Sequence, residues 1–137
     1  MNTRIDHIGI VVHDIQEALN AYAAALGLPL KEVADVPDQK VRVAFLPVGE
    51  SNIELVQPTA DDTSIAKFLE KRGEGIHHIC LEVEEIEAAL TRLKEHGMAL
   101  IDEVPRQGVH GQVAFVHPKG MHGVLIELVE RSATVTV

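Results

Sequence analysis

Asp6-His7-Ile8-Gly9-Ile10 and, 71 residues later, His77-His78-Ile79-Cys80-Leu81 are two versions of one phrase. Each runs into a helical pattern at the same offset, Ile15/Ala18/Leu19 after the first and Ile86/Ala89/Leu90 after the second. Further on, Val43-Ala44-Phe45 returns as Val113-Ala114-Phe115, and Ile53-Glu54-Leu55-Val56 as Ile126-Glu127-Leu128-Val129. The chain is therefore a duplication, and each copy places one His and one Glu inside an apolar strand.

Working outward from the first phrase, residues 4–12 alternate as a strand, with His7, Gly9 and Val11 on one face and Ile8, Ile10 and Val12 on the other. Asp14 is a helix cap, and the apolar spacing carries that helix to about Leu26, where Gly27 and Pro29 stop it. Strands are expected near 30–36, 39–47 and 51–57, with Gly49-Glu50 as the last turn. A connector, 58–75, holds a short helix after Asp61-Asp62 and leaves through Gly73-Glu74-Gly75. The second copy predicts a strand over 76–83, a helix over 84–96 ended by Gly97, and strands near 98–103, 112–116 and 123–130. Segments 105–111 and 118–123 read as irregular, and 132–137 as a fraying tail.

Each copy is thus βαβββ. One helix covers only one face of its sheet, so pairing two copies would turn both uncovered faces into a shared concavity. The expected fold is α+β. Two paired βαβββ modules, 4–57 and 76–130, form a curved, partly open eight-stranded sheet around a metal site with helices outside, as a single domain over 1–137.

Bulk properties narrow the function. The 137 residues suffice for one domain with a real core. No apolar run approaches the ~20 residues of a membrane span, and a strand beginning at Arg4 leaves no room for a signal peptide. A net charge of −9 without a basic face argues against nucleic acid. Aromatic content of 3% and no Trp argue against stacking platforms for bases or sugars. The single Cys80 rules out an internal disulfide and fits a cytoplasmic location.

Glu54 and Glu127 each sit in a run of strand-forming apolar residues, where an unpaired carboxylate would be costly. A cation resolves that cost, and His7 and His78 occupy matching places on the first strand of each copy. Two imidazoles and two carboxylates suit Co²⁺, Ni²⁺, Zn²⁺, Mn²⁺ or Fe²⁺ with room for water or substrate. Neighbouring groups read as structural. His77 should point away from the His78 face, His13 and His96 lie at helix ends, and Cys80 is a small core residue.

On these residues the chain resembles the vicinal-oxygen-chelate (glyoxalase/bleomycin-resistance/dioxygenase) superfamily and, within it, the family of methylmalonyl-CoA epimerases. The matching stretches include Asp6-His7-Ile8-Gly9-Ile10, Ile53 to Pro58, Ser64 to Leu69, Gly73 to Ile79, Val109-His110-Gly111, His117-Pro118-Lys119 and Gly123 to Leu128. The resemblance implies a divalent metal, often Co²⁺, held by His7, Glu54, His78 and Glu127, and interconversion of (2R)- and (2S)-methylmalonyl-CoA. Some members carry Gln at the place of Glu54 and a catalytic Glu at the place of Val43. Val43 cannot move a proton, so Glu54 and Glu127 are the expected acid/base pair. An acyl-CoA substrate needs local cations, for which Lys67, Lys71, Arg72 and Lys119 are candidates. The loop 107–111, with His110 and Gly111, is a candidate to close over the substrate carboxylate. A homodimer is expected from the superfamily. The rival readings are a glyoxalase I acting on a glutathione hemithioacetal and a non-enzymatic small-molecule binder.

Overall fold

A computed structural model describes residues 2–132. Its eight strands and three α-helices follow the order β1 (Asn2–Val11), α1 (Ile15–Leu19), β2 (Glu32–Val36), β3 (Val41–Val48), β4 (Ser51–Pro58), α2 (Ser64–Arg72), β5 (Gly75–Val83), α3 (Ile86–Glu95), β6 (Arg106–Gln107), β7 (Gly111–Val116) and β8 (Ile126–Arg131). Among the described residues no helix is long and apolar enough to cross a membrane. The chain divides into two compact units, His7–His77, and Met1–Asp6 with His78–Val137. The division cuts β1 just before His7 and β5 just before His78.

The first unit contains the strand set β2-β3-β4-β1. β1 and β4 are parallel, with Gly9 opposite Glu54 and Val11 opposite Val56. β3 runs antiparallel to β4, with Phe45 opposite Glu54 and Val43 opposite Val56. Period-two alternation then sorts the side chains. Ile10, Val12, Ala44, Leu46 and Leu55 form one core with Ile15 and, partly buried, Ala18, Leu19 and Tyr22 of the helical segment. Val41, Val43, Phe45 and Val56 form a second cluster on the opposite face, joined by Ile65 of α2.

The second unit contains β5-β8-β7-β6 and repeats the rule. Cys80 faces Glu127 across the parallel β5–β8 ladder, and Phe115 faces Glu127 across β7–β8. Val83, Ala114, Val116 and Leu128 pack on Ile86 and Leu90 of α3. Cys80, Val113 and Val129 cluster on the other face. Burying each large aliphatic side chain contributes roughly 1.5–3 kcal/mol, so each unit has its own helix-facing core.

The start of β1 belongs to this second unit through charge. Asp6 is only 2% exposed, and its Oδ1 accepts from Arg131 Nε at 2.7 Å. Arg4 Nε donates to Glu82 Oε1 at 2.8 Å, and the remaining cross-distances are 3.8 Å for Arg4–Asp6 and 3.7 Å for Arg131–Glu82. Two guanidinium groups thereby alternate with two carboxylates from β1, β5 and β8, which is how a buried carboxylate is tolerated.

The α+β class, the duplicated βαβββ order and the alternation of faces are as the sequence predicts. Several boundaries differ. Asp14 does cap α1, accepting from the Gln16 N–H, but the helix becomes a π-helix over Asn20–Ala25 before Gly27. The connector helix that the sequence places after Asp61-Asp62 is capped by Thr63, which accepts from the Ala66 N–H. A hydroxyl one residue before the first helical turn reaches an N–H that the aspartates, further back, do not. The strand expected over 98–103 is reduced to a single bridge, Leu100 to Val116. The edge strand forms instead at Arg106–Gln107, inside the segment read as irregular, and pairs with β7. Of the expected fraying tail, 133–137 lie outside the described residues.

Candidate functional site

The register that sorts the cores also fixes where the His and Glu side chains lie. Glu54 shares the face of Val56, and Glu127 that of Val129, so both carboxylates occupy the sheet face that the module's first helix does not cover. In the first unit His7 Nδ1 stands 3.1 Å from Glu54 Oε2, with both side chains about nine-tenths buried. In the second, His78 Nε2 stands 3.1 Å from Glu127 Oε1, with side-chain exposures of 9% and 13%. Phe115 packs edge-on against the His78 ring, centroids 5.8 Å apart, and walls that pair with an apolar surface.

The donor set fits a divalent cation. Two donors at about 2.1 Å from one ion lie about 3.0 Å apart at octahedral and about 3.4 Å apart at tetrahedral angles, and each pair stands at 3.1 Å. Burying a carboxylate is costly without compensating charge, and a divalent ion held by both members of each pair is one way to supply it. Either imidazole nitrogen can ligate, so the use of Nδ1 in one unit and Nε2 in the other is compatible with the same role.

Val43 is 7% exposed within its apolar cluster. It lies on the same face as Glu54, one strand across and diagonally offset, and its place is filled by packing.

The remaining sequence candidates fall as follows. Lys67, Lys71 and Arg72 are exposed on α2, and Arg72 lies over the Phe68 ring at 5.6 Å. Lys119 is exposed in a 3₁₀ turn, where its N–H donates to His117 Nδ1 at 3.0 Å. His110 is exposed, and Gly111 is buried. A Cβ on Gly111 would lie 2.1 Å from the Glu130 carbonyl oxygen, so close backbone packing is enough to account for the glycine. His77 packs edge-on against Phe68 at 4.9 Å, Cys80 is fully buried, and His96 Nδ1 lies 2.9 Å from the Arg92 carbonyl. Sequence reading assigned no role to Asp6, Arg131 or Arg106. Charged residues at the ends of otherwise apolar strands were the signal available for the first two, and the Asp102/Arg106 spacing for the third.

Comparison with known proteins follows the same lines. The model of the Glyoxalase/Bleomycin resistance protein/Dioxygenase superfamily matches residues 6–116. The ethylmalonyl-CoA/methylmalonyl-CoA epimerase of Cereibacter sphaeroides is 43% identical over 128 residues, 91% of this chain and 96% of its own. A solved structure of a hypothetical protein from Bacillus halodurans superposes with a TM-score of 0.94 at 44% identity, covering 99% of both chains. A variant of Streptomyces coelicolor methylmalonyl-CoA epimerase in complex with 2-nitronate-propionyl-CoA superposes with a TM-score of 0.90 at 35% identity over the whole of both chains. The chain belongs to the glyoxalase/bleomycin-resistance/dioxygenase superfamily. Within it, the chain is a member of the methylmalonyl-CoA epimerase family, enzymes of the racemase and epimerase class.

Proposed function

We propose that this protein catalyses the divalent-metal-dependent epimerisation of (2R)- and (2S)-methylmalonyl-CoA. The observation that carries the reading is the duplicated His–Glu pair, 3.1 Å within each unit and buried on the face free of the module's first helix, in a family whose relatives act on this substrate. His7, Glu54, His78 and Glu127 would together hold one ion, Co²⁺ first and Ni²⁺, Mn²⁺ or Zn²⁺ as substitutes. The bound ion supplies electrophilic stabilisation of the charge that develops on the substrate's carbonyl oxygens when the carbon between them loses its proton.

The chain's own residues move that proton. Inverting the carbon requires one group to take the α-proton and another to return one from the opposite face. Glu54 and Glu127 are those groups. One carboxylate accepts the proton as the C–H bond breaks, and the other, entering protonated, donates as the new C–H bond forms. The reverse reaction exchanges their roles. Val43 offers no proton, which places the first module's share of the work on Glu54. The side chains' burial limits competing water and strengthens the field each carboxylate feels. The enzyme works in the cytoplasm as a homodimer on this reading.

The test is deuterium wash-in at the α-carbon of methylmalonyl-CoA in D₂O, with Co²⁺-loaded and chelator-treated protein. Exchange confined to the loaded protein is expected; no exchange by the loaded protein overturns the reading. Metal analysis separates the enzyme from a binding protein without metal, and turnover of a methylglyoxal–glutathione hemithioacetal would mark a glyoxalase I.

A further inference from the structure

The chain carries a net charge of −9, so any anionic ligand must be recognised by cations placed locally rather than by the overall field. The exposed lysines have the flexible stems of ordinary surface charges. Arg106 differs, because its guanidinium has both an ion-pair partner and an aromatic neighbour. Its Nε faces Asp102 Oδ1 at 3.4 Å. Asp102 is itself fixed, its Oδ2 accepting the Phe115 N–H at 2.8 Å and its own N–H donating to the Phe115 carbonyl at 3.2 Å. The guanidinium carbon sits 5.5 Å from the Phe115 ring centroid, in range for a cation–π contact.

What remains of Arg106 is available to a ligand. The side chain is 48% exposed, and its two terminal amino groups have no protein partner among the described residues. A planar fork held from its Nε edge, with its other donors open, is the arrangement that binds carboxylate or phosphate in two-point fashion. Its place is equally specific. The same Phe115 ring packs against His78, and Phe115 faces Glu127 across the ladder. One ring therefore separates the guanidinium from the second unit's His–Glu pair. β6, the two-residue edge strand, places Arg106 opposite Val113.

We propose that Arg106 is a substrate-recognition residue whose guanidinium binds an anionic oxygen group of the acyl-CoA substrate beside the His78–Glu127 pair. The proposal rests on the reading of the protein as an acyl-CoA epimerase. The substrate offers that chemistry at two places, the acyl carboxylate and the CoA phosphates.

The experiment measures binding by calorimetry and α-exchange kinetics for wild type, Arg106→Met, Arg106→Lys and Asp102→Asn. The ligands are methylmalonyl-CoA, propionyl-CoA, which lacks the carboxylate, and methylmalonyl-pantetheine, which lacks the nucleotide phosphates. Arg106→Met should weaken methylmalonyl-CoA binding and raise KM about tenfold or more, the scale of losing a charged two-point hydrogen bond, with a smaller change in kcat. Arg106→Lys should recover only part. If the carboxylate is the target, the penalty disappears for propionyl-CoA; if the phosphates are, it disappears for the pantetheine ester. A merely structural Arg106 would lower the Tm and leave affinity for all three ligands unchanged, which overturns the proposal. A wild-type protein that binds these ligands without exchanging the α-proton would overturn the epimerase reading instead, while the binding penalties still decide the role of Arg106.

Discussion

The two modules agree where the donors stand and disagree around them. Glu54 and Glu127 each face a phenylalanine across the antiparallel ladder and each pair with an imidazole at 3.1 Å. Across the parallel ladder, however, Glu54 meets Gly9 and Glu127 meets Cys80. The outer strand is five residues in the first module and two in the second; in the first, Asp35 pairs with Arg42 of β3 at 2.8 Å, and in the second Arg106 lies on the strand itself, beside Asp102 and over Phe115. Both modules keep a His–Glu pair on the same face, and their edges differ.

The largest effect that tests this division is on proton transfer. Glu54→Gln and Glu127→Gln should each slow α-deuterium exchange about 10²- to 10⁴-fold, measured by mass spectrometry or NMR. If Glu54→Gln exchanges near the wild-type rate, the two carboxylates are not equivalent partners. Next come the two helix-facing cores. Ile15→Ala and Ile86→Ala each empty a fully buried position and should each cost about 2–5 kcal/mol in denaturant unfolding. Costs that differ by more than about 2 kcal/mol would show that one module dominates stability. Gly111→Ala should cost about 2 kcal/mol or more, because the new Cβ meets a strand carbonyl that cannot retreat without breaking the β7–β8 ladder.

A smaller effect concerns an ion pair of the first unit. Lys40 donates to Asp62 at 3.1 Å, and that hydrogen bond first, then the lysine charge, holds the Asp62 carboxyl below its ordinary value. A lowered folded-state value means the stabilisation is present above the ordinary carboxylate range and lost as pH falls through the folded-state value. Lys40→Met should raise the Asp62 carboxyl toward its ordinary value, read by carboxyl NMR, while the Tm near neutral pH changes little because the pair is exposed.

The legible part of the molecule was the part written twice. His7, His78, Glu54 and Glu127 were visible because each appears in an apolar strand at an equivalent place, and the alternation that exposes a face of each strand is carried by neighbouring residues. The capping by Thr63 and the edge strand at Arg106–Gln107 were not visible in that way. A cap depends on which side chain reaches an N–H, and a two-residue strand depends on the partner it finds rather than on its own propensity.

The sequence by itself determined the duplicated βαβββ order, the composition of the two helix-facing cores and the placing of one His and one Glu in the strands of each copy, because periodicity and burial are local properties repeated in each copy. Only the tertiary structure decided the 3.1 Å closeness of each His–Glu pair, the Arg4–Asp6–Glu82–Arg131 alternation and the fixing of Arg106 over Phe115. Each of these joins residues distant in the chain, and the distances between such residues are set by ladder register and side-chain packing rather than by spacing along the sequence.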